Sequence, residues 1–146
     1  MKIREAELKD YYQIMALYQQ LQPDDPAVEE NQGKSIYESI IESKNYILIV
    51  AEIENTIVSS CYLNLIPNLT RNGRPYAVIE NVITDAGHRN RGIGKEVMNY
   101  AVNKALQAGC YKVMLSTGRK DDSTLKFYEA CGFESGIKTA FIIKNT

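Results

Sequence analysis

The chain has 146 residues, of which 45% are hydrophobic and 24% charged, with a formal net charge of −1. That is enough chain for one domain whose core needs no staple, and the balanced charge speaks against a nucleic-acid or membrane-surface partner. Met1 to Asp10 holds no signal-peptide-like apolar stretch and no window is long enough to span a bilayer, so a cytoplasmic protein is expected.

Lys2 to Ala6 reads as a short edge strand. From Glu7 to Leu21, Leu8, Tyr11, Tyr12, Met15 and Tyr18 or Gln19 fall about three and four apart, the period of an amphipathic helix. Gln22 to Ala27 ends that helix, because two prolines and two aspartates favour a turn. A second helix is expected around Gly33 to Asn45, with Ile36, Tyr37, Ile40 and Ile41 inward. The period then shortens. Asn45 to Pro67 reads as two strands joined by a tight turn at Glu54-Asn55, a hairpin.

Asn68 to Pro75 is a polar loop with an Asn-Gly pair. Tyr76 to Thr84 has apolar residues on both faces, which predicts a central strand. The helix after it has Ile93, Val97, Ala101, Val102, Ala105 and Leu106 inward and stops at Gly109, a residue suited to a left-handed cap. Tyr111 to Thr117 reads as a strand. Asp121 to Phe133 is a short helix with Asp121 or Asp122 as N-cap and Gly132 at its C-terminal end. Ile137 to Lys144 closes the chain as a strand. The order β-α-α-β-β-β-α-β-α-β predicts a single α+β domain over residues 1–146.

Cys61, Cys110 and Cys131 are odd in number, widely spaced and set among apolar residues, the pattern of buried free thiols. With one histidine in the chain they offer no metal-ligand spacing, so no metal is expected. A cysteine nucleophile would have only His88 as an imidazole base.

The stretch Gly87 to Glu96, "GHRNRGIGKE", joins a strand to a helix. Helix N-termini carry free N–H groups and the positive end of the macrodipole. Glycine lets the backbone curl tightly and approach a ligand closely. Such a turn can aim several N–H groups at one anion, with Arg89, Arg91 and Lys95 adding attraction. Phosphate or pyrophosphate is the natural ligand. Two other phosphate motifs are absent. Gly94-Lys95 is followed by Glu96 and not Ser or Thr, so there is no P-loop, and G-x-G-x-x-G is missing. The bland alternative is a helix that simply begins after a glycine-rich turn.

Arg89-x-x-Gly92-x-Gly94 resembles the Q/R-x-x-G-x-G/A signature of the GNAT superfamily of N-acetyltransferases. Leu125 to Phe133, "LKFYEACGF", is similar to that family's later helix and turn, where a tyrosine precedes Gly-Phe. The order of elements follows the family through the whole chain. The resemblance implies a mostly antiparallel mixed sheet flanked by helices and acetyl-CoA as co-substrate. It also implies that the strand before the turn splays from its neighbour. Pantetheine then adds to the backbone of Val82, Ile83 and Thr84. The pyrophosphate would meet the backbone of Arg89, Asn90, Arg91, Gly92, Ile93, Gly94 and Lys95.

Tyr128 matches the family tyrosine, which protonates the departing thiolate. A phenol with a reference pKa of about 10 can deliver a proton as charge develops on a sulfur of about 8.5. Without the motif, Tyr128 reads as one more core tyrosine on an amphipathic helix. Glu80, an acid in an otherwise apolar strand, is the candidate base. A desolvated carboxylate has its pKa raised and can take the amine proton, directly or through water. Its other reading is a salt-bridged or edge-exposed glutamate. Alternation puts Asn81 on the other side of the strand. Many relatives carry asparagine where this chain has Asp121, seven residues before Tyr128. An ionised aspartate cannot donate, so it reads as a helix cap, with Ser123 a substitute contact. His88 reads as a surface or supporting residue beside the turn.

The acceptor implied is a small-molecule or peptide amine. The expected lining is Tyr11 to Tyr18, Gln22 to Ala27 and the loop before Tyr76, with Asp24 and Asp25 attracting a cation or merely forming a solvated turn. Homodimers are common in the family, though no residue marks an interface. A non-catalytic CoA-binding sensor on the same fold is the alternative function, and a nucleotide-phosphate binder a third.

Overall fold

The computed structural model describes residues 1–145, which fall into two compact units, Met1–Leu115 and a C-terminal unit from Ser116. The first unit holds β1 (Lys2–Glu5), α1 (Tyr11–Leu21), α2 (Glu30–Glu42), β2 (Tyr46–Ile53), β3 (Thr56–Ile66), β4 (Tyr76–Thr84), α3 (Ile93–Gln107) and β5 (Val113–Met114). The second holds α4 (Asp122–Ala130). The sheet order is β1-β2-β3-β4-β5; β1 to β4 pair antiparallel and β5 joins β4 in parallel.

Each strand's neighbour is next in the chain, so short connections suffice for β2, β3 and β4. Glu54 and Asn55 both adopt positive φ, 49° and 64°, which is the two-residue hairpin turn whose twist matches that of the flanking strands. Ile47 to Ala51 are buried in succession. Leu48 and Val50 pack with Tyr11, Ile14 and Leu17 of α1 and Tyr37 of α2. Ile49 and Ala51 alternate to the opposite face, where α3 packs on β2, β3 and β4 through Ile93, Val97, Met98, Ala101 and Ala105. Each fully buried Ile, Leu or Val contributes about 1.5–3 kcal/mol.

The inward face of α1 differs from the expected one. Leu8 and Tyr12 are exposed, whereas Ile14 and Leu17 are buried. Leu8–Asp10 forms a separate 3-10 turn, and Asp10 points inward, 1% exposed, where the Arg4 guanidinium grips its carboxylate at 2.7 and 3.0 Å. With Asp10 turned inward, the 3.6-residue period brings Ile14, Leu17 and Leu21 to the core. Burial pushes the Asp10 carboxyl up, but hydrogen bonds from Arg4 and the Glu7 N–H hold it below the usual carboxylate range.

In α2, Tyr37 is buried, Ile40 and Ile41 are half-buried, and Ile36 is exposed. The helix begins earlier than expected, at Glu30, because the Glu29 carboxylate caps it. In α3, Val102 is half-buried and Leu106 exposed; both flank the stripe that Gly94, Met98 and Ala105 complete. Gly109 takes φ 88°, closing α3 as expected.

Two expected strands fall short. Only Val113 and Met114 of the Tyr111–Thr117 stretch pair with β4. Ile137 to Lys144 forms no strand, and Phe141, Ile142 and Ile143 are exposed. A run of apolar and β-branched residues favours a strand, but a strand exists only where a neighbour takes its N–H and C=O groups, and the described sheet ends at β5.

Candidate functional site

Glu80 lies opposite Tyr62 and Ile83 opposite Ser60. Three steps along β4 therefore match two along β3. The extra residue makes a bulge, and Asn81 there adopts φ 51°. A bulge interrupts alternation, so Asn81 does not face away from Glu80 as the sequence pattern suggests. Both side chains line one cavity of about 490 Å³. Tyr46 of β2, Tyr62, Asn64 and Ile66 of β3, and Val78 of β4 complete its walls.

Glu80 is exposed on that wall. The burial expected of an acid within an apolar strand is therefore not found at Glu80, and every residue that lines the cavity lies on a strand. The loops and helix expected to line the acceptor site do not line this cavity. Tyr11 is a core residue, its ring 5.2 Å from that of Tyr12 and 5.4 Å from that of Tyr37. Asp24 and Asp25 are exposed in the turn after α1. Tyr46, Tyr62 and Asn64 escaped the sequence reading. The turn at Glu54-Asn55 alone would set Tyr46 opposite Leu63; a register shift between Ala51 and Glu52 moves it opposite Asn64, two residues from Tyr62 on the same face, so no local signal could have found the three.

Behind the bulge, the Tyr18 hydroxyl is buried and makes no hydrogen bond of good geometry. Burial pushes its phenol well above the ordinary value, and the nearby Asn81 amide opposes that shift. Burial also pushes the Tyr62 phenol up.

Beyond the bulge, β4 runs to Thr84, whose hydroxyl lies 2.8 Å from that of Ser59. The ladder to β5 stops at Val78 and Met114. No β5 residue thus pairs with Val82, Ile83 or Thr84; the Ile83 carbonyl accepts from Ser59 Oγ at 3.0 Å.

The turn into α3 is tied down at its start. The Asp85 carboxylate accepts from Gln20 Nε2 at 2.8 Å and from the Gly87 N–H at 3.0 Å, and it meets His88 Nδ1 at 2.8 Å. The bonds from Gln20 and His88 hold the Asp85 carboxyl below its usual range. Gln20 Oε1 also accepts from the Ala86 N–H. His88 is thereby half-buried and committed to Asp85, a supporting position.

Arg89 Nε donates to the Thr84 carbonyl at 3.1 Å. Asn90 and Gly92 adopt φ 62° and 76°. Arg91, Gly92 and Lys95 are exposed, while Ile93 and Gly94 are buried. Gly92 is the N-cap of α3, and no side chain accepts from the first turn. The contrast with α2 and α4 is chemical; α1 also lacks a side-chain cap, but it continues directly from the Leu8–Asp10 turn. Glu29 caps α2 and Asp121 caps α4, each with a carboxylate, whereas α3 leaves its first N–H groups to an outside acceptor.

In the C-terminal unit, Tyr128 is half-buried on α4, its ring 5.1 Å from that of Phe127 and 6.5 Å from that of Phe133. Gly132 takes φ 95°, which lets the Phe133 N–H reach back to the Tyr128 carbonyl at 3.1 Å. Asp121 accepts from the Thr124 N–H at 3.0 Å and from Arg119 Nε at 3.1 Å. Its role is the helix cap, as its inability to donate implies. Ser123 is exposed.

A five-stranded, mostly antiparallel sheet flanked by helices, with the fourth strand feeding an uncapped helix, is an acetyltransferase architecture. The chain belongs to the Acetyltransferase (GNAT) family, which matches residues 9–133; acetyl-CoA is the family's co-substrate. A solved structure from Agrobacterium tumefaciens str. C58, assigned as an acetyltransferase with no substrate named, is 39% identical with a TM-score of 0.94, covering 99% of this chain and all of that one. The glucosamine 6-phosphate N-acetyltransferase of Trypanosoma brucei brucei is 38% identical over 79 residues, 54% of this chain and 52% of that protein. Glucosamine 6-phosphate N-acetyltransferase 1 of Oryza sativa subsp. japonica is 31% identical over 136 residues, 90% of this chain and 80% of that protein. The match thus spans about half the length of the Trypanosoma relative.

Proposed function

We propose that this chain is an acetyl-CoA-dependent N-acetyltransferase that moves the acetyl group directly to a primary amine of a small molecule, with both substrates bound at once. The observation that carries this reading is the open N-terminus of α3 behind the point where the β4–β5 ladder stops. The backbone of Arg89 through Lys95 grips the pyrophosphate, with the N–H groups of Ile93, Gly94 and Lys95 at the positive helix end. Pantetheine adds to the backbone of Val82, Ile83 and Thr84, where β5 does not pair. Arg91 and Lys95, both exposed, strengthen the attraction for the anion.

The acceptor occupies the cavity beside the bulge. Its ammonium gives a proton to Glu80, and the neutral nitrogen attacks the thioester carbonyl carbon. The C–S bond breaks as the C–N bond forms. Glu80 passes the ammonium proton on to water, the second proton that the nitrogen sheds after attack leaves by the same route, and the Tyr128 phenol protonates the leaving sulfur and is reprotonated from solvent. Binding both partners side by side supplies much of the rate through proximity. The free site does not desolvate Glu80, so closure of the bound substrates over it has to supply that effect.

No acyl-enzyme is needed, and the two buried thiols, Cys61 and Cys110, do not favour one. Burial pushes Cys61 up to about 12 and also raises Cys110. A thiol held above neutral pH is a poor nucleophile. The test is thiol release from acetyl-CoA across a panel of primary amines, with calorimetry of acetyl-CoA in parallel. Amine-dependent release is expected. Uptake of acetyl-CoA without turnover of any amine would instead favour a sensor.

A further inference from the structure

We infer that the acceptor is a primary amine carried on an uncharged apolar body, aryl or alkyl, and not a phosphorylated amino sugar of the kind named for the relatives. The inference rests on the proposed acetyltransferase reading and deepens it at the acceptor cavity.

The cavity, about 490 Å³, falls inside the range of about 300–1,000 Å³ typical of small-molecule sites. Of its seven lining residues only Glu80 carries a formal charge, and none is Lys, Arg or His. A phosphate brings a charge of about −1.5 to −2 and asks for cationic or N–H donors. Here it meets a carboxylate. The amide of Asn64 does not help it. Asn64 Nδ2 already donates to the Val78 carbonyl at 3.2 Å and to the Tyr62 carbonyl at 3.4 Å. The same amide therefore has its carbonyl oxygen left for a ligand, which suits a donor and not an anion.

The cations of the β3–β4 loop are engaged elsewhere. Arg74 donates to the carbonyls of Gly109 and Cys110 at the end of α3, at 3.2 and 3.3 Å. Arg71 stacks over the Tyr111 ring at 5.5 Å. Neither lines the cavity.

What the cavity does offer matches an organic cation. The rings of Tyr46 and Tyr62 meet edge to face, 6.4 Å apart, and form an aromatic corner. Ile66 and Val78 supply aliphatic walls. A primary ammonium gains from a carboxylate, a carbonyl oxygen and aromatic faces together. An apolar body gains from the rings and aliphatic walls, whereas a phosphosugar would bring its phosphate beside the Glu80 carboxylate with no lining cation to offset the charge.

The test compares kcat/KM for 2-phenylethylamine, hexylamine, glucosamine and glucosamine 6-phosphate at saturating acetyl-CoA. The apolar amines are expected to exceed glucosamine 6-phosphate by at least about tenfold, the scale on which hydrophobic pockets discriminate. Tyr46→Ala, at a residue 47% exposed and so not needed for the core, should raise KM for 2-phenylethylamine by about tenfold and leave KM for acetyl-CoA unchanged. Tyr62→Leu, which keeps an apolar side chain, is the second variant and should act in the same direction. A preference for glucosamine 6-phosphate overturns the inference and leaves the acetyltransferase reading standing. So does turnover of 2-phenylethylamine with a KM that neither variant moves. Failure to bind acetyl-CoA at all sinks both.

Discussion

Glu80 and Tyr62 stand directly opposite one another in the β3–β4 ladder, one step before Asn81 turns into the left-handed region. The pairing brings a carboxylate and a phenol to the same cavity wall, and the bulge adds the Asn81 amide beside them. If Glu80 takes the amine proton, Glu80→Gln keeps the shape and removes the base. The expected loss is about 10²- to 10⁴-fold in kcat, with acetyl-CoA affinity unchanged. Steady-state kinetics beside calorimetry checks this, and a kcat within twofold (about 0.4 kcal/mol) of wild type would remove Glu80 from the proton path.

Tyr128→Phe retains the packing of Phe127 and Phe133 around the ring and deletes only the hydroxyl. As the acid for the leaving sulfur, Tyr128 acts after binding. Turnover should fall by about 10²-fold while KM for acetyl-CoA stays level. A rise in KM with kcat intact would assign the hydroxyl to cofactor binding.

A Cβ at Gly92 would meet nothing within 4 Å, so bulk is not the obstacle there. The constraint is φ, 76°, which costs an ordinary L residue about 1–2 kcal/mol. Gly92→Val should therefore weaken acetyl-CoA binding by distorting the turn, whereas Gly92→Asn, tolerant of that region, should lose much less. Equal affinities for the two variants would show that the backbone conformation at Gly92 is not what holds the anion.

Gly33 is a packing glycine. A Cβ there would sit 2.2 Å from Tyr11 Oη and 3.3 Å from its Cζ, and the Tyr11 ring is walled in by Tyr12 and Tyr37. Exchanging Gly for Ala in a helix ordinarily gains about 1 kcal/mol. Here overpacking should reverse the sign and leave a net loss of about 1–2 kcal/mol. Urea midpoints of Gly33→Ala and of Gly33→Ala with Tyr11→Phe decide it: removing the hydroxyl should restore most of the loss.

Asp10 makes acid stability specific. Its folded value lies below the ordinary carboxylate value, so its contribution is complete above the unfolded value of about 3.9 and fades as pH falls through the lower folded value. Asp10→Asn should flatten that acid limb in thermal melts below about pH 4. Arg4→Ala should be worse at neutral pH, by about 3–5 kcal/mol, since it strands a carboxylate that is 1% exposed. An acid limb unchanged in Asp10→Asn would place the titrating group elsewhere.

Much of this was legible before any coordinates. The hairpin turn at Glu54-Asn55, the left-handed Gly109 and the Asp121 cap are local events, decided by residues within a few positions of one another. The turn into α3 is of the same kind. Glycines at 92 and 94 ahead of an amphipathic stretch specify an open helix start whatever surrounds it.

The phase of α1 was not local. It depends on Arg4 reaching Asp10 across a turn of chain, and periodicity alone put Leu8 and Tyr12 on the wrong face. The cavity beside Glu80 was less legible still. Tyr46, Tyr62 and Asn64 become neighbours of Glu80 only through the registers of β2, β3 and β4, and a single extra residue at Asn81 decides which side chains share a wall. Ile137 to Lys144 makes the same point in reverse: its residue types suit a strand, but no ladder among the described residues takes it up. Short-range propensity, capping and turn chemistry belong to the sequence itself, because their energies depend on near neighbours. Register, bulge and cavity belong to the tertiary structure, because they are set by which distant backbone groups pair.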